Sequence, residues 1–176
     1  QCSVLEQKAS DCVTQKQKVQ DKLNDLEARS MRDNLLFLGI EETQAENCSE
    51  KVKKFCEDEL QLTHDTVDSI IIDRAHRIGK VKVGSVRPIV VKFNRYGERE
   101  MIRTKANEMR AALRNKHYTV KPQIPYDVME KRKPLYSVFE AELAKGNRCK
   151  FVQDKLYING RLYEAPNRSN RADHAP

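Results

Sequence analysis

Basic side chains are concentrated in the middle of the chain, where their chemistry suits the binding of phosphate groups. Residues 74–134 hold seventeen Lys and Arg against five Asp and Glu, a net charge of +12. Residues 41–66, which precede that basic segment, hold three Lys and Arg against eight Asp and Glu, a net charge of −5. Charge segregated this strongly creates a directed field, and guanidinium and ammonium groups donate strong hydrogen bonds to phosphate. The pattern therefore favours a polyanionic partner.

The individual candidates lie on two predicted strands, on one predicted helix and at the start of the last module. On the helix, a rotation of 100° per residue aligns four arginines beside the apolar stripe. These arginines are Arg99, Arg103, Arg110 and Arg114. The other candidates are Arg74, Arg77, Arg87, Lys92, Arg95, Arg132 and Lys133. A run of charge is often only a solvated surface, and Arg side chains often cover apolar edges, but the size of the net charge favours binding.

The sequence offers no catalytic or metal-binding constellation, so we expect neither an enzyme nor a cofactor. It has no Gly-rich phosphate loop, no HExxH or GxSxG motif, and no acidic cluster spaced for two-metal chemistry. The four histidines lack the spacing of metal ligands, and the five cysteines form neither a CxxC pair nor a disulfide framework. Reduced, intracellular cysteines are the favoured interpretation. No apolar run approaches the ~20 residues that span a bilayer, so no membrane partner is expected.

The first thirty residues carry a heptad repeat, which predicts a coiled coil over residues 1–31. One seam position holds Cys2, Ala9, Lys16 and Leu23, and the other holds Leu5, Cys12, Val19 and Leu26. Lys22 and Glu27 flank the last pair, in a pattern that resembles a trimer-specifying motif but also suits an ion pair in a dimer. We favour a homotrimer over a dimer. The expected oligomer contacts are Leu5, Cys12, Val19, Lys22, Leu23, Leu26 and Glu27. Because the chain begins within the repeat, we expect it to be a fragment.

The next ninety residues are predicted to follow a β-α-β-β-α-β order, over residues 32–121. Predicted strands cover 35–40, 67–77, 87–93 and 118–121, and predicted helices cover 48–62 and 97–114. Asn47 with Glu50 offers a capping box for the first helix. This α+β order is the split-βαβ, or ferredoxin-like, plan that RNA-recognition domains use.

Phe37 falls where the first strand of RNA-recognition domains carries a base-stacking aromatic ring. A Phe within an apolar strand is core by default, so packing is favoured over stacking. The third predicted strand also lacks the Gly- and Phe-rich consensus of such domains. We therefore expect binding through Arg and Lys contacts to phosphates, with little discrimination between bases.

Residues 126–164 are predicted to form a small α+β domain after a linker at 122–125. Asp127 with Glu130 starts a helix, which Pro134 bends or restarts and Gly146 ends. A hairpin over 150–153 and 156–158 follows, and Asn159-Gly160 reverses the chain into 161–163. Residues 165–176 are predicted to be a disordered tail.

Three segments that follow the heptads resemble the first-reading-frame proteins of LINE-type retrotransposons. They are Arg32–Glu41, Ile72–Gly79 and Arg87–Phe93. The last module is similar to that family through Arg132-Lys133, Tyr136–Phe139 and the short hairpin, so the likeness covers residues 1 to about 164. The chain departs from the family at Leu36, where a basic residue is usual, and at Lys133, where Arg is usual. Both departures bear on affinity: Leu36 removes a positive charge, and Lys133 replaces Arg with a side chain that is not an equivalent phosphate ligand.

The resemblance implies a coiled-coil homotrimer, an RNA-recognition domain and a small C-terminal domain that flanks the RNA. The implied partner is single-stranded RNA, the element's own transcript, with single-stranded DNA as a second candidate. The implied activity is largely sequence-independent binding with chaperone action on nucleic-acid strands, in cytoplasmic ribonucleoprotein particles, with nuclear access left open. The implied RNA contacts are Arg32, Asn34, Arg74, Arg77, Arg87, Lys92, Arg132 and Lys133.

Two other classes compete with this interpretation. A coiled-coil scaffold protein could use the basic surface to bind an acidic protein partner, and it would have no affinity for RNA. A zipper-type duplex-DNA factor would carry its basic helix immediately before the heptads. Here the basic residues follow the heptads and fall mainly on predicted strands, which disfavours the zipper class.

Overall fold

Helix α1 (Cys2–Ser30) opens a mixed α+β structure, which the computed structural model describes over residues 2–164. The helix runs almost directly into the first strand: Asn34 N–H donates to Met31 O at 3.0 Å, and β1 (Asn34–Leu38) begins there. The predicted tail at 165–176 and the side chain of Cys2 lie outside the described residues. None of the described helices is long and apolar enough to cross a membrane.

The chain divides into two compact units, and the division falls between Ile124 and Pro125. The first unit contains α1 and an antiparallel sheet with the strand order β2-β3-β1-β4. The other strands of this sheet are β2 (Ile72–Arg77), β3 (Ile89–Phe93) and β4 (Thr119–Pro122). β1 lies in the centre, with Leu36 opposite Val90 of β3 and opposite Lys121 of β4. β2 and β4 are therefore the edge strands.

Helices pack against one face of this sheet and form the core with it. They are α2 (Cys48–Asp58), α3 (His64–Ser69), α4 (Tyr96–Glu108) and α5 (Arg110–Asn115). Alternate strand residues, among them Leu35, Phe37 and Val91, are fully buried beneath these helices. The Phe37 ring meets Phe55 of α2 edge to face, with 5.6 Å between centroids. Phe37 is thus a core residue, and the prediction that it packs in the core is confirmed.

The predicted second strand began too early. Residues 67–69 belong to helix α3, because Thr63 caps its N-terminus: Thr63 Oγ1 accepts a hydrogen bond from Thr66 N–H. Val67 and Ile70 are buried, and their spacing of three residues suits one face of a helix as well as a strand. The apolar pattern alone could not distinguish the two.

The helix predicted over 97–114 is interrupted at Met109. That residue has φ −93° and ψ 13°, which ends α4 and allows α5 to start in a new direction. Ile102, Ala106 and Leu113 are buried, as the apolar stripe predicted. The arginine stripe is not continuous, however, because Arg99 is only 6% exposed and does not lie along a solvated edge.

The second unit is a small α+β module built around an aromatic cluster. Its helical elements are α6 (Tyr126–Arg132), a 3₁₀ turn at Lys133–Leu135 and α7 (Tyr136–Ala144). Its strands are β5 (Cys149–Val152), β6 (Lys155–Ile158) and β7 (Arg161–Leu162), paired antiparallel in that order. The Phe151 ring stacks on Phe139 and meets Tyr136 edge to face. The helix break predicted at Pro134 is confirmed as the 3₁₀ turn.

Candidate nucleic-acid interface

A row of polar and basic side chains crosses the open face of the first sheet, opposite the helices. Arg74 of β2 is directly opposite Lys92 of β3, and Lys92 is directly opposite Asn34 of β1. Directly opposed residues point to the same face of a sheet, so the three side chains are neighbours. Asn34 Nδ2 also donates to Gln123 Oε1 at 2.8 Å, so the row continues to the residue that directly follows β4. We call Arg74, Lys92, Asn34 and Gln123 the cross-strand row.

A β-bulge at Asp73 brings Arg74 onto this open face. Ile72 pairs with Phe93, but the next pair is Arg74 with Lys92, so one residue of β2 is skipped. Without the extra residue, Arg74 would pair with Val91 and point into the core, because a one-residue shift exchanges the faces of a strand. Asn94 Nδ2 donates to Asp73 Oδ1 at 3.0 Å and holds the bulged residue.

The two cations of the cross-strand row are not neutralised within the protein. Neither Arg74 nor Lys92 forms an ion pair with any of the residues 2–164. Like charges directly opposite each other on a sheet repel, at a cost of up to about 1 kcal/mol. An arrangement that is unfavourable in isolation becomes favourable when a phosphate lies between the two side chains.

Asn34 adds an acceptor that lacks a partner. The residue is only 6% exposed, and its Oδ1 forms no hydrogen bond within the part of the chain that the structure describes. A buried, unpaired acceptor costs about 1–3 kcal/mol. A donor group on a ligand, such as a base amine or a ribose hydroxyl, would relieve that cost.

Arg32 lies at the same end of the sheet, two residues before Asn34. Its exposed guanidinium lies over the ring of Tyr96, 5.3 Å from the centroid. The guanidinium of the buried Arg99 lies 5.8 Å from the same ring, and its Nη1 also donates to Glu100. The Tyr96 ring therefore orients Arg32 while leaving its charge accessible.

Arg77 faces the helices, and its hydrogen-bonding capacity is used inside the protein. Its side chain is 5% exposed. Nε donates to Glu46 Oε1 at 2.6 Å, Nη1 donates to Ile40 O and Arg87 O, and Nη2 donates to Glu41 O. The Arg77 guanidinium holds the pKa of the Glu46 carboxyl well below its usual range, despite the opposing effect of burial. We therefore correct the expected RNA contact at Arg77: this residue is structural.

Arg87 is also paired with an acidic residue. Its Nε donates to Glu42 Oε1 at 3.0 Å, Nη2 donates to the same oxygen, and both side chains are about one-quarter exposed. Hydrogen bonds from Arg87 lower the pKa of the Glu42 carboxyl. A phosphate would have to displace Glu42, so the predicted contact at Arg87 is not free for binding in this conformation.

Of the arginines predicted on the helix over 97–114, Arg103 is paired with an acidic residue of the described chain and Arg110 is not. Arg103 Nη2 forms an ion pair with Glu100 Oε2 at 2.8 Å. Arg110 is exposed and, within residues 2–164, has no ion-pair partner. It lines a groove beside β4 together with Arg114 and Lys121.

Both candidates of the second unit have partners inside that unit. Arg132 Nε donates to Gln153 O at 2.5 Å, and its guanidinium lies 4.9 Å from the Phe151 ring centroid. Burial lowers the pKa of Arg132. Lys133 Nζ forms an exposed ion pair with Glu130 at 2.6 Å, which a phosphate could replace at little cost.

The predicted seam of α1 is exposed in the single chain. Leu5, Val19 and Leu26 are each more than 60% exposed, and Leu23 and Cys12 are exposed as well. Lys22 is exposed and Glu27 is half-buried on the same helix. A line of large exposed apolar side chains along one helix is typical of a surface that packs against another helix.

Sequence reasoning missed three features of this interface: the bulge at Asp73, the ring of Tyr96 and the amide of Gln123. Asp73 and Tyr96 carry no local signal, since one follows apolar strand residues and the other is the first residue of helix α4. The linker predicted at 122–125 includes Gln123, but the Gln123 N–H donates to Asn34 O at 3.4 Å and extends the sheet.

Among the described residues, no group of three or more His, Cys, Asp or Glu side chains is placed so that it could hold a metal ion. No protein-family model matches the chain, and no curated protein sequence matches it.

Proposed function

We propose that this chain binds single-stranded RNA across the open face of its first sheet, largely without regard to sequence. The observation that carries the proposal is the cross-strand row: two unpaired cations directly opposite each other, next to a buried amide whose acceptor lacks a partner. Phosphates would bind Arg74 and Lys92, and Arg32 would add a third contact. Such contacts give affinity without base discrimination.

The strand order supports an RNA-recognition assignment for the first unit. The order β2-β3-β1-β4, with helices on one face only, is the order of the split-βαβ plan. RNA-recognition domains of that plan bind RNA on the sheet face that the helices leave open. The difference here is the absence of exposed rings on that face of β1 and β3, since Phe37 and Phe93 are buried in the core.

The exposed seam of α1 supports a coiled-coil homotrimer. In this proposal, three copies of a weak, salt-sensitive phosphate grip act on one RNA, and their effective concentration raises the overall affinity. Backbone-directed binding leaves bases able to pair again, which is what a nucleic acid chaperone requires. We propose that role, in the ribonucleoprotein particles of a LINE-type retrotransposon, with single-stranded DNA as a second ligand.

The test is the binding of a fluorescent single-stranded RNA of about 30 nucleotides to the full chain over a series of salt concentrations. We expect tight binding that weakens steeply with salt. In the variant Arg74→Ala/Lys92→Ala, the magnitude of the slope of log K against log salt should fall by about 1.4 for each protomer that contacts the RNA, because each lost phosphate contact removes about 0.7 for a single strand.

Lys18→Ala/Lys54→Ala is the matched control, because it removes two exposed positive charges away from the open face. Its salt slope should equal that of the wild type. Equal losses in both variants would mean that only net charge matters. Absence of binding at low salt would refute the proposal and leave the scaffold alternative to explain the charge.

A further inference from the structure

A basic groove runs beside the edge strand β4, away from the cross-strand row. It has a volume of about 240 Å³ and lies between β4 and the helices α4 and α5. Its basic lining residues are Arg103, Arg110, Arg114 and Lys121, and no acidic residue lines it. We call this feature the β4 groove.

Three of these cations, Arg110, Arg114 and Lys121, have no side-chain partner within the described chain. Arg110 and Arg114 are exposed, and neither forms a hydrogen bond or an ion pair with residues 2–164 through its side chain. They lie four residues apart on α5, where like charges destabilise a helix. The short distance between them and the lack of nearby acids favour an anionic occupant.

The strand edge that borders the groove offers hydrogen bonds to a peptide backbone. Gln123 N–H donates to Asn34 O, and Lys121 is opposite Leu36. In an antiparallel ladder, hydrogen bonding alternates from residue to residue, so the N–H and C=O of Val120 point away from β1. Neither group has another hydrogen-bond partner in residues 2–164. Pro122 has no N–H, which limits an added strand to a short segment.

The rest of the lining suits apolar side chains more than nucleobases. Its floor includes Ala106, Leu113 and the half-buried Val120. The one ring in the lining, Tyr118, meets Phe55 edge to face with 5.2 Å between centroids. That ring is engaged with the core, so the groove lacks the free aromatic surface on which single-stranded bases stack.

We propose that the β4 groove binds an extended acidic peptide of a partner protein. The peptide backbone would pair with Val120, an apolar side chain would enter the groove, and acidic side chains would lie on Arg110 and Arg114. This is strand addition at a sheet edge, in which the backbone supplies affinity and the side-chain pockets supply specificity. The inference does not depend on the RNA proposal, because none of the proposed peptide contacts, Val120, Arg110 and Arg114, belongs to the cross-strand row.

The test uses the full chain and a short fluorescein-labelled peptide that alternates Glu and Val. We expect saturable binding, with hydrogen-exchange protection of the Val120 amide, and no binding of a peptide that alternates Lys and Val. The same acidic peptide methylated at its backbone nitrogens should also fail to bind. In Arg110→Glu/Arg114→Glu, peptide affinity should fall at least about tenfold, because charge complementarity becomes repulsion.

Measuring RNA binding and peptide binding of the same two variants distinguishes a failure of this inference from a failure of the proposed function. Arg110→Glu/Arg114→Glu should lose peptide binding yet keep the RNA salt slope, whereas Arg74→Ala/Lys92→Ala should do the reverse. Circular dichroism checks that both variants fold. If the methylated peptide binds as well as the parent peptide, strand addition is wrong. If the Glu variant loses RNA binding and no acidic peptide binds, the groove is a nucleic-acid surface and the inference fails.

Discussion

Arg77 Nε donates to Glu46 Oε1 at 2.6 Å, and both side chains are less than one-tenth exposed. The same guanidinium donates to the backbone carbonyls of Ile40 and Glu41. It therefore ties the loop between β1 and α2 to the end of β2. Lys51 Nζ adds a second ion pair to Glu46 at 2.8 Å. The acidic segment before α2 thus serves to hold one basic residue of the chain in the fold.

Removing Arg77 should destabilise the protein far more than removing Arg74 from the same strand. Arg77→Ala removes the guanidinium from the buried Glu46 carboxylate, whose remaining ion pair is with Lys51, and from the carbonyls of Ile40 and Arg87. The expected cost is up to about 3–5 kcal/mol. Arg74→Ala removes an exposed side chain and should change the free energy of unfolding by less than about 0.5 kcal/mol. Urea unfolding followed by circular dichroism measures both. A wild-type stability for Arg77→Ala would contradict the structural role.

Glu46 should make folding stability depend on acidic pH. Its pKa in the folded chain lies well below the ordinary value of 4.5, mainly because Arg77 hydrogen-bonds to it. For a carboxyl with a lowered folded pKa, the stabilisation is fully present above the unfolded pKa. It is lost as pH falls below about 4.5 toward the folded value. Thermal unfolding between neutral and strongly acidic pH should show that loss.

Glu46→Gln provides the comparison, since the amide has the same shape but does not titrate in this range. We expect the variant to be less stable at neutral pH, with a flatter dependence of melting temperature on acidic pH. Parallel pH profiles for the two proteins would mean that other carboxyl groups, such as Glu42, dominate acid unfolding.

Asn34→Asp should weaken RNA binding without disrupting the sheet. The carboxylate has the shape of the amide, and the Gln123 side chain can rotate so that its own amide group donates. The new negative charge lies next to Lys92 in the cross-strand row and would neutralise it. We expect RNA affinity to fall about tenfold or more, since one close charge pair is worth that much. Fluorescence anisotropy measures the change.

Gln123→Ala serves as the control for Asn34→Asp, because it removes the same side-chain hydrogen bond but adds no charge. It should bind RNA within about threefold of the wild type. If both variants lose affinity equally, then the amide pair acts by ordering the strand end, and Asn34 is not close to a phosphate.

The positions of the main elements could be predicted from sequence, whereas the chemistry of individual arginines could not. Apolar runs such as Leu35–Leu38 identify buried strands, and Asn47 marks a helix start that the structure confirms, since its side chain accepts from Ser49 N–H and Glu50 N–H. Arg74 and Arg77 look equivalent in sequence. They are three residues apart, so strand alternation places them on opposite faces. The bulge at Asp73 decides which of the two faces the core, and no local pattern predicts the bulge.

The pairing of basic residues with acidic partners could not be predicted from the sequence either. Glu42 and Glu46 lie 45 and 31 residues from Arg87 and Arg77 in the chain. The sequence separates an acidic segment, residues 41–66, from a basic segment, residues 74–134. The fold brings part of the acidic segment into contact with part of the basic one. The accessible basic surface is therefore smaller than the net charge suggests, and it includes the cross-strand row and the β4 groove.

The seam of α1 gives a last prediction, which concerns assembly. Leu23→Asp/Leu26→Asp places charges on two exposed seam residues and should prevent helix association. Sedimentation equilibrium should give the mass of three chains for the wild type and one chain for the variant. Ser10→Asp/Gln17→Asp adds the same charge outside the seam and should remain trimeric. A wild-type mass of two chains would establish a dimer instead.

RNA length should then reveal whether assembly strengthens binding. A short RNA that occupies one protomer should bind the seam variant and the wild type alike, because each sheet face is intact. A long RNA that reaches several protomers should bind the variant about 10²-fold more weakly, because the effective concentration of linked sites is lost. Equal affinity for long RNA in both proteins would mean that each chain binds independently. The coiled coil would then contribute to assembly of the particle, without raising the affinity of the sheet for RNA.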